Sequence, residues 1–290
     1  MNYIVKKILK TLPDKLYLQL LYFKHFQRCI NFTNPQTFNE KLQWLKIYDR
    51  KSIYTTMVDK YEAKKYVADI IGEEHIIPTI AVYDKVEDID FSTLPNQFVM
   101  KWNHDSGSII ICKDKSKFNK KAAIEKLRNG AKFNGFWYGR EWPYKNVKPK
   151  VIIEKFMTDD SQKELGLKDY KFYCFNGEAK YLYVSEGLDN HSTARISFLT
   201  MDWQFAPFGR TDFAPFEELP PKPSMFDEMI KIANKLSEGH PFLRVDLYQI
   251  NKQIYFGELT LYPCSGIMPF YPAKYDNYLG DLIKLPYQTI

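Results

Sequence analysis

Phe242-Leu-Arg-Val-Asp-Leu-Tyr-Gln-Ile250 and Ile254-Tyr-Phe-Gly-Glu-Leu-Thr260 alternate apolar and polar residues with the period of half-buried strands, and Asn251-Lys252 between them is turn chemistry. With a three-residue loop over Asn251–Gln253, Ile250 faces Ile254, Tyr248 faces Phe256, Asp246 faces Glu258 and Arg244 faces Thr260. A slip of one residue would move Glu258 to the other face, so pairing the two carboxylates is a statement about register. Carboxylates side by side repel unless positive charge lies between them. A hard divalent cation carrying phosphates meets that need, and so does Arg244 as a structural counter-ion.

Around this hairpin the chain reads as a globular protein. Of its 290 residues 45% are apolar and 26% charged, which excludes disorder and allows one large domain or a few subdomains. Aromatic residues at 16% suit thick sheet packing and stacking surfaces alike. The net charge of +6 is spread along the chain, favouring anionic partners such as nucleotides and phosphates over nucleic acid. Cys29, Cys112, Cys174 and Cys264 lack CxxC or Cys/His ligand spacing and read as free thiols of a reducing compartment. No apolar run is long enough to span a bilayer and no cleavable signal is visible, so a cytoplasmic location is expected. Met1–Lys10 is basic and amphipathic, and Leu16–Phe26 continues it with aromatics. Lys6, Lys7, Lys10, Lys15, Lys24 and Arg28 there stand against Asp14 alone. A helix docked on the body with its lysines in solvent and a helix on the inner face of a membrane both remain open.

Thr37-Phe-Asn-Glu40 has the form of a capping box opening a helix through Leu42, Trp44, Leu45 and Tyr48. Asp59 is placed to cap a second, running through Lys60, Ala63, Tyr66 and Val67 toward Gly72. Ile76–Tyr83 reads as an edge strand interrupted by Pro78. Gln97–Lys101 and Ile109–Cys112 read as strands around a small polar loop, Asn119–Lys132 as a helix, and Phe136–Tyr144 as an aromatic loop. Lys150–Phe156, Asp169–Phe175 and Ala179–Val184 follow as strands, the last two joined by an Asn176-Gly177 turn. Phe205–Pro223 reads as loop, and Ser224 as the cap of a helix through Met229, Ile232 and Leu236.

Lys101 ends its strand before Trp102-Asn-His-Asp-Ser-Gly-Ser108, where backbone amides and a lysine can cradle phosphates, although a strand-end lysine is often simply solvated. Glu154-Lys155 closes an apolar strand whose edge and charged tips suit an adenine, or are only a strand end. Asp88 and Asp90 have the DxD spacing of metal-dependent glycosyltransferases, and equally of a solvated turn.

In order, these pieces resemble the ATP-grasp superfamily. Asp59-Lys60-Tyr-Glu-Ala-Lys-Lys65 is similar to its Asp-Lys helix, and Phe98-Val-Met-Lys101 to its lysine strand and phosphate-covering hairpin. Ile152-Ile-Glu-Lys155 is similar to its adenine-holding hinge, and Asp169-Tyr-Lys171 to its Asp/Glu-x-Arg/Lys strand. Asp246 with Glu258-Leu-Thr260 stands where the family has Asp and Glu-x-Asn as magnesium ligands. Thr37–Trp44, His104–Gly107, Trp137–Tyr144, Asp169–Phe172, Arg244–Tyr248 and Gly257–Thr260 more narrowly resemble the TupA-like branch, associated with teichuronopeptide and capsular polysaccharide synthesis. That likeness runs from Asn31 to Pro286. Thr260 and Ser108 depart from it, replacing an asparagine and a loop glycine.

The resemblance implies an α+β, ATP-grasp fold: two α+β subdomains, 59–155 and 156–290, clasping ATP, behind a small mainly helical N-terminal unit over 1–58. That unit is too short for a preceding α/β domain of roughly 100 residues. It implies an ATP- and Mg2+-dependent carboxylate–amine ligase acting through an acylphosphate, joining an amino acid or amine to a uronic acid of a bacterial surface saccharide, free or lipid-linked. Lys60, Lys101, Ser106, Gly107, Ser108, Glu154, Lys155 and Lys171 would hold the nucleotide, and Asp246, Glu258 and Thr260 the Mg2+. Arg244 and Lys171 would be catalytic; His104, Arg140 and Arg195 would meet the acceptor, with Trp137, Tyr138 and Trp142 stacking on sugar rings. The competing readings are a glycosyltransferase using a nucleotide sugar, with Asp88 and Asp90 on the metal, and an ATP-dependent sugar kinase.

Overall fold

The computed structural model describes residues 10–159, 167–187 and 194–286, so the amphipathic opening before Lys10 lies outside the described residues. Two fully antiparallel sheets organise the chain. The smaller has β1 (Thr79–Tyr83), β2 (Phe98–Trp102), β3 (Ile110–Cys112) and β4 (Val151–Lys155) in the order β1-β4-β2-β3. The larger begins with β5 (Asp169–Phe175), β6 (Glu178–Glu186) and β7 (Arg195–Thr200). The chain then makes β8 (Gly209–Arg210), inside the stretch expected to be loop. It returns with β9 (Phe242–Ile250) and β10 (Gln253–Thr260) to complete the order β10-β9-β5-β6-β7. β11 (Phe270–Tyr271) pairs with β8.

The described α-helices are α1 (Asp14–Phe26), α2 (Phe38–Tyr48), α3 (Ile53–Val58), α4 (Glu62–Ile71), α5 (Lys120–Gly130), α6 (Gly135–Gly139), α7 (Phe226–Ser237) and α8 (Lys274–Asp281). The capping box forms at α2: the Glu40 amide donates to Thr37 Oγ1, and the Thr37 amide to Glu40 Oε2, both at 3.2 Å. Asp59 Oδ1 accepts from the amides of Tyr61 and Glu62 ahead of α4. Where an aromatic loop was expected, Asn134 caps α6 by accepting from the Phe136 amide at 3.0 Å. Ser224 does not cap α7; the amide of Met225 donates to Gln249 Oε1 at 2.8 Å instead.

One core joins the large sheet to the helices before it. Met229, Ile232, Ala233 and Leu236 of α7 lie in it with Val67 of α4, and so do Phe38 and Leu42 of α2 with Tyr54 and Met57 of α3. The Phe38 ring meets those of Tyr173, Phe175 and Phe242 with centroids 6.1, 6.2 and 4.9 Å away. It covers one end of the sheet's front face and leaves the other end, carrying Asp169, Lys171, Asp246 and Glu258, to polar chemistry. The small sheet has its own core around Phe98, Met100, Leu127 and Ile153.

The hairpin reaches the expected pairing by a different route. Its loop is two residues, Asn251 and Lys252, both left-handed at φ 50° and 62°, the geometry of a tight hairpin turn. Ile250 therefore faces Gln253, and Leu247 faces Phe256, one residue out of the expected register. A bulge at Gly257 restores it, so that Asp246 faces Glu258 and Arg244 faces Thr260. A Cβ at Gly257 would lie 2.9 Å from the Tyr248 ring and 3.1 Å from Asp246 O, which is why glycine occupies the bulge.

Candidate active site

Three adjacent strands carry a charged row on one face of the large sheet. β10 brings Glu258 beside Asp246 of β9, and β5 brings Lys171 beside Asp246 on its other flank. Arg244, two residues along, clamps Asp246 with Nε and Nη2, each 2.7 Å from a carboxylate oxygen, and reaches Glu258 Oε2 at 3.4 Å. Lys171 Nζ lies 2.7 Å from Asp246 Oδ2 and also pairs with Asp169. Asp246 is 1% exposed, so its charge is solvated almost wholly by these two cations.

The small sheet faces this row with a second group. Glu154 of β4 is buried and holds Lys101 of β2 at 2.7 Å and Lys64 of α4 at 2.6 Å. Lys60 joins the two groups, its Nζ lying 2.9 Å from Glu258 Oε1 and 2.8 Å from the carbonyl of Asp105 in the β2–β3 loop. Beside it, Asp59 Oδ2 accepts from Asn103 Nδ2 at 2.8 Å, tying the start of α4 to the same loop.

Burial pushes the Glu258 carboxyl up, but Lys60 and Arg244 outweigh it and hold its pKa at about 2. Glu154 is likewise pushed up by burial and brought below the ordinary range by Lys101 and Lys64. Burial disfavours a charged Lys171, yet Asp169 and Asp246 keep it well above the usual lysine value. Burial moves Asp169 upward, and its Oδ1 is a buried oxygen without a hydrogen-bond partner among the described residues. Thr260 Oγ1 is another, cross-strand from Arg244 and two residues beyond Glu258. Two carboxylates and a hydroxyl on one face are the oxygen donors a hard divalent cation takes, and here Arg244, Lys171 and Lys60 stand on the carboxylate oxygens in its place. Among the described residues no group of three or more His, Cys, Asp or Glu side chains is arranged to hold a metal by itself, the Asp169, Asp246 and Glu258 row included.

The structure thus gathers Lys60, Lys101, Glu154, Lys171, Arg244, Asp246, Glu258 and Thr260. Gly107 sits at φ 112° in the β2–β3 loop, a conformation side chains rarely adopt, and Ser106 beside it is exposed. Ser108 and His104 turn inward instead; Ser108 Oγ and His104 Nε2 are buried without partners among the described residues. Lys155 is exposed, on the opposite face of β4 from Glu154, and lines a cleft with Pro78, Ile80 and Phe156. Arg195 pairs with Glu217 at 3.0 Å on β7, the sheet's far edge from β10.

Arg140 corrects its expected role. It is 1% exposed, pairs with Asp14 at 3.3 Å, donates to the carbonyls of Lys10 and Leu12, and lies 4.4 Å from the Tyr17 ring centroid. It fastens α1 to the body and is not open to an acceptor. Asp90 is similarly occupied, its Oδ1 accepting from the amide and hydroxyl of Ser92 in a surface turn. Asp88 and Asp90 are both exposed there, the solvated turn that the same spacing allowed.

Lys64, within the first turn of α4, was not singled out in the sequence. Also missed was Lys46, wholly buried, whose Nζ donates to the carbonyls of Gly139 and Ser265 at 2.7 Å each. Burial lowers its pKa to about 8, with Glu141 opposing. It pins the turn after β10, where Cys264 and Ser265 are both left-handed. No sequence period points to that contact.

A lysine-bearing sheet closed over a carboxylate-bearing sheet is the ATP-grasp arrangement. A sequence model of the TupA-like ATPgrasp family matches residues 40–284, and the chain belongs to that family. No curated protein matches. Among solved structures, the chain is similar to the D-alanine–D-alanine ligase of Helicobacter pylori at 16% identity and a TM-score of 0.43, covering 79% of this chain and 63% of that one. The Bacillus anthracis D-alanine–D-alanine ligase gives 17% and 0.43, covering 86% and 69%. A RimK domain protein ATP-grasp of Sphaerobacter thermophilus gives 12% and 0.41, covering 81% and 70%. The chain therefore spans less than two thirds of the first of these enzymes.

Proposed function

We propose that the protein is an ATP- and Mg2+-dependent carboxylate–amine ligase, and that 59–155 and 156–290 are the two halves that clasp the nucleotide behind the unit over 1–58. The observation that carries this reading is the facing pair Asp246 and Glu258, with the unsatisfied Thr260 Oγ1 beside it and Lys60, Lys171 and Arg244 around it. Asp246, Glu258 and Thr260 are the donors for magnesium, which when bound neutralises charge on the β- and γ-phosphates. Lys60, Lys101 and Lys171 are placed to hold phosphate oxygens, and Glu154 keeps the Lys101 ammonium in position.

In this reaction the acceptor carboxylate takes the γ-phosphoryl group of ATP, giving an acylphosphate and ADP. The amine nitrogen then attacks the acyl carbon, the carbon–oxygen bond to phosphate breaks, phosphate leaves and the nitrogen gives up a proton. Arg244, beside Asp246 on the metal-bearing face, would present guanidinium charge where oxyanion charge develops in both steps. The remaining work is alignment and charge neutralisation, which rigid strands supply better than loops.

The family resemblance supports a uronic acid of a bacterial surface saccharide as the carboxylate and an amino acid or small amine as the nucleophile, with the acceptor lipid-linked and the enzyme cytoplasmic, at the inner face of the membrane. Product analysis tests the reaction. ATP hydrolysed to ADP and phosphate only when carboxylate and amine are both present supports ligation. Phosphate retained on the saccharide identifies a kinase, and turnover of a sugar nucleotide that survives Asp246→Asn would overturn the ATP-grasp chemistry.

A further inference from the structure

Helix α1 is apolar on the side where a surface helix is normally polar. Leu18 and Tyr22 face inward, fully buried with Ile30. Leu16, Leu20 and Phe23 recur at helical spacing on the outer side and are 47%, 50% and 48% exposed. The Tyr17 hydroxyl donates to the Tyr138 carbonyl at 2.9 Å, which ties α1 to α6, where the side chains of Trp137 and Tyr138 are also exposed. Cations fringe this surface. Lys15 and Lys24 are exposed and Lys10 Nζ lies 5.2 Å from the centroid of Trp137, whereas Arg28 is already paired with Asp276 at 3.3 Å. Asp14, the acid of this helix, is already paired with Arg50 at 2.7 Å and with Arg140 at 3.3 Å.

We propose that the outer face of α1, with Trp137 and Tyr138 beside it, docks on an anionic phospholipid bilayer. The charge pattern selects this occupant. Leucine and phenylalanine side chains flanked by uncompensated lysines suit a surface that offers hydrocarbon just beneath negative headgroups. Exposed tryptophan and tyrosine are the side chains that partition to that boundary. A second copy of the chain would bring the same cations together across a two-fold axis and be repelled. Nor is the helix a span: among the described residues none is long and apolar enough to cross a membrane. The proposal draws on the ligase reading only for the place of a lipid-linked acceptor, and its test needs no turnover.

Cosedimentation of the full chain with vesicles tests it. Vesicles of equimolar phosphatidylcholine and phosphatidylglycerol should bind the protein and phosphatidylcholine alone should not, with binding falling as salt rises. Lys15→Gln with Lys24→Gln should lower the partition coefficient roughly thirtyfold, and Leu20→Gln with Phe23→Gln should abolish binding. Both variants change exposed residues, so an unchanged thermal shift with Mg–ATP shows that the fold and nucleotide site are intact. Binding that is absent, unaltered in the variants, or equal on neutral vesicles overturns the proposal. A concentration-dependent dimer abolished by Leu20→Gln overturns it too, by showing that a second copy covers the face. Vesicle binding without ligase products refutes only the ligase reading.

Discussion

Thr260→Val should make the protein more stable and a poorer binder of Mg–ATP. Valine keeps the shape of threonine and the strand preference, so β10 loses nothing in packing. The hydroxyl it removes is buried without a hydrogen-bond partner among the described residues. An unsatisfied buried group of that kind costs about 1–3 kcal/mol. Taking the lower end, because Thr260 as a residue is only partly buried, the variant should gain about 1 kcal/mol. For a chain of this size that raises Tm by about 2 °C. Nucleotide reverses the order. At a hundred times its Kd, Mg–ATP stabilises the wild type by about 2.7 kcal/mol. A tenfold weaker Kd, reasonable for one lost donor, removes about 1.4 kcal/mol of that. Differential scanning fluorimetry with and without Mg–ATP reads both numbers, and Thr260→Ser should restore the nucleotide shift. A variant less stable without nucleotide would mean that the hydroxyl has a partner. An unchanged shift with Mg–ATP would remove Thr260 from the metal site.

Acid should destabilise the protein through Glu258. Its folded pKa of about 2 lies below the ordinary glutamate value of 4.5, so its contribution is complete above about pH 4.5 and is lost as pH falls toward 2. Glu258→Gln should flatten that part of a urea-stability profile; an unchanged acid limb would refute the assignment. Arg140→Met should lower stability by about 1–2 kcal/mol, from a desolvated guanidinium stacked on an aromatic ring, with the Asp14 pair adding little because Asp14 is partly exposed. Mg–ATP should still shift its Tm. Unchanged stability with a raised KM for the acceptor would return Arg140 to the substrate site.

Which side chains share a face was legible wherever a strand period ran unbroken, as in Asp169 with Lys171 and Arg244 with Asp246. The loop length at Asn251-Lys252 was not, because a two-residue and a three-residue turn draw on the same residue types. The extra residue at Gly257 compensated, and an isolated glycine inside a strand pattern was the available sign of a bulge. Contacts between distant segments left no trace in local pattern. Nothing around Phe136–Tyr144 indicates that Arg140 reaches Asp14, and nothing in α2 indicates that Lys46 pins the turn at Ser265. An arginine among aromatics is the same short sequence whether it stacks on a sugar or on Tyr17.

The facing carboxylates drew attention because they need positive charge, and in the folded chain the protein's own cations already supply it. Asp169, Asp246 and Glu258 are matched by Lys60, Lys171 and Arg244. This balance makes the metal and the phosphates depend on each other. Asp246 and Glu258 can turn to Mg2+ only as they release Lys171, Arg244 and Lys60, and those ammonium and guanidinium groups, once released, stay buried only if phosphate takes the place of the carboxylates. Mg2+ alone would strand cations, and ATP alone would strand carboxylates. The same fluorimetry series, run with Mg2+ alone and with ATP alone, should therefore show shifts that sum to much less than the shift with both. Additive shifts would mean that the pairs seen here do not exchange partners, and that metal and nucleotide sit on groups outside this row.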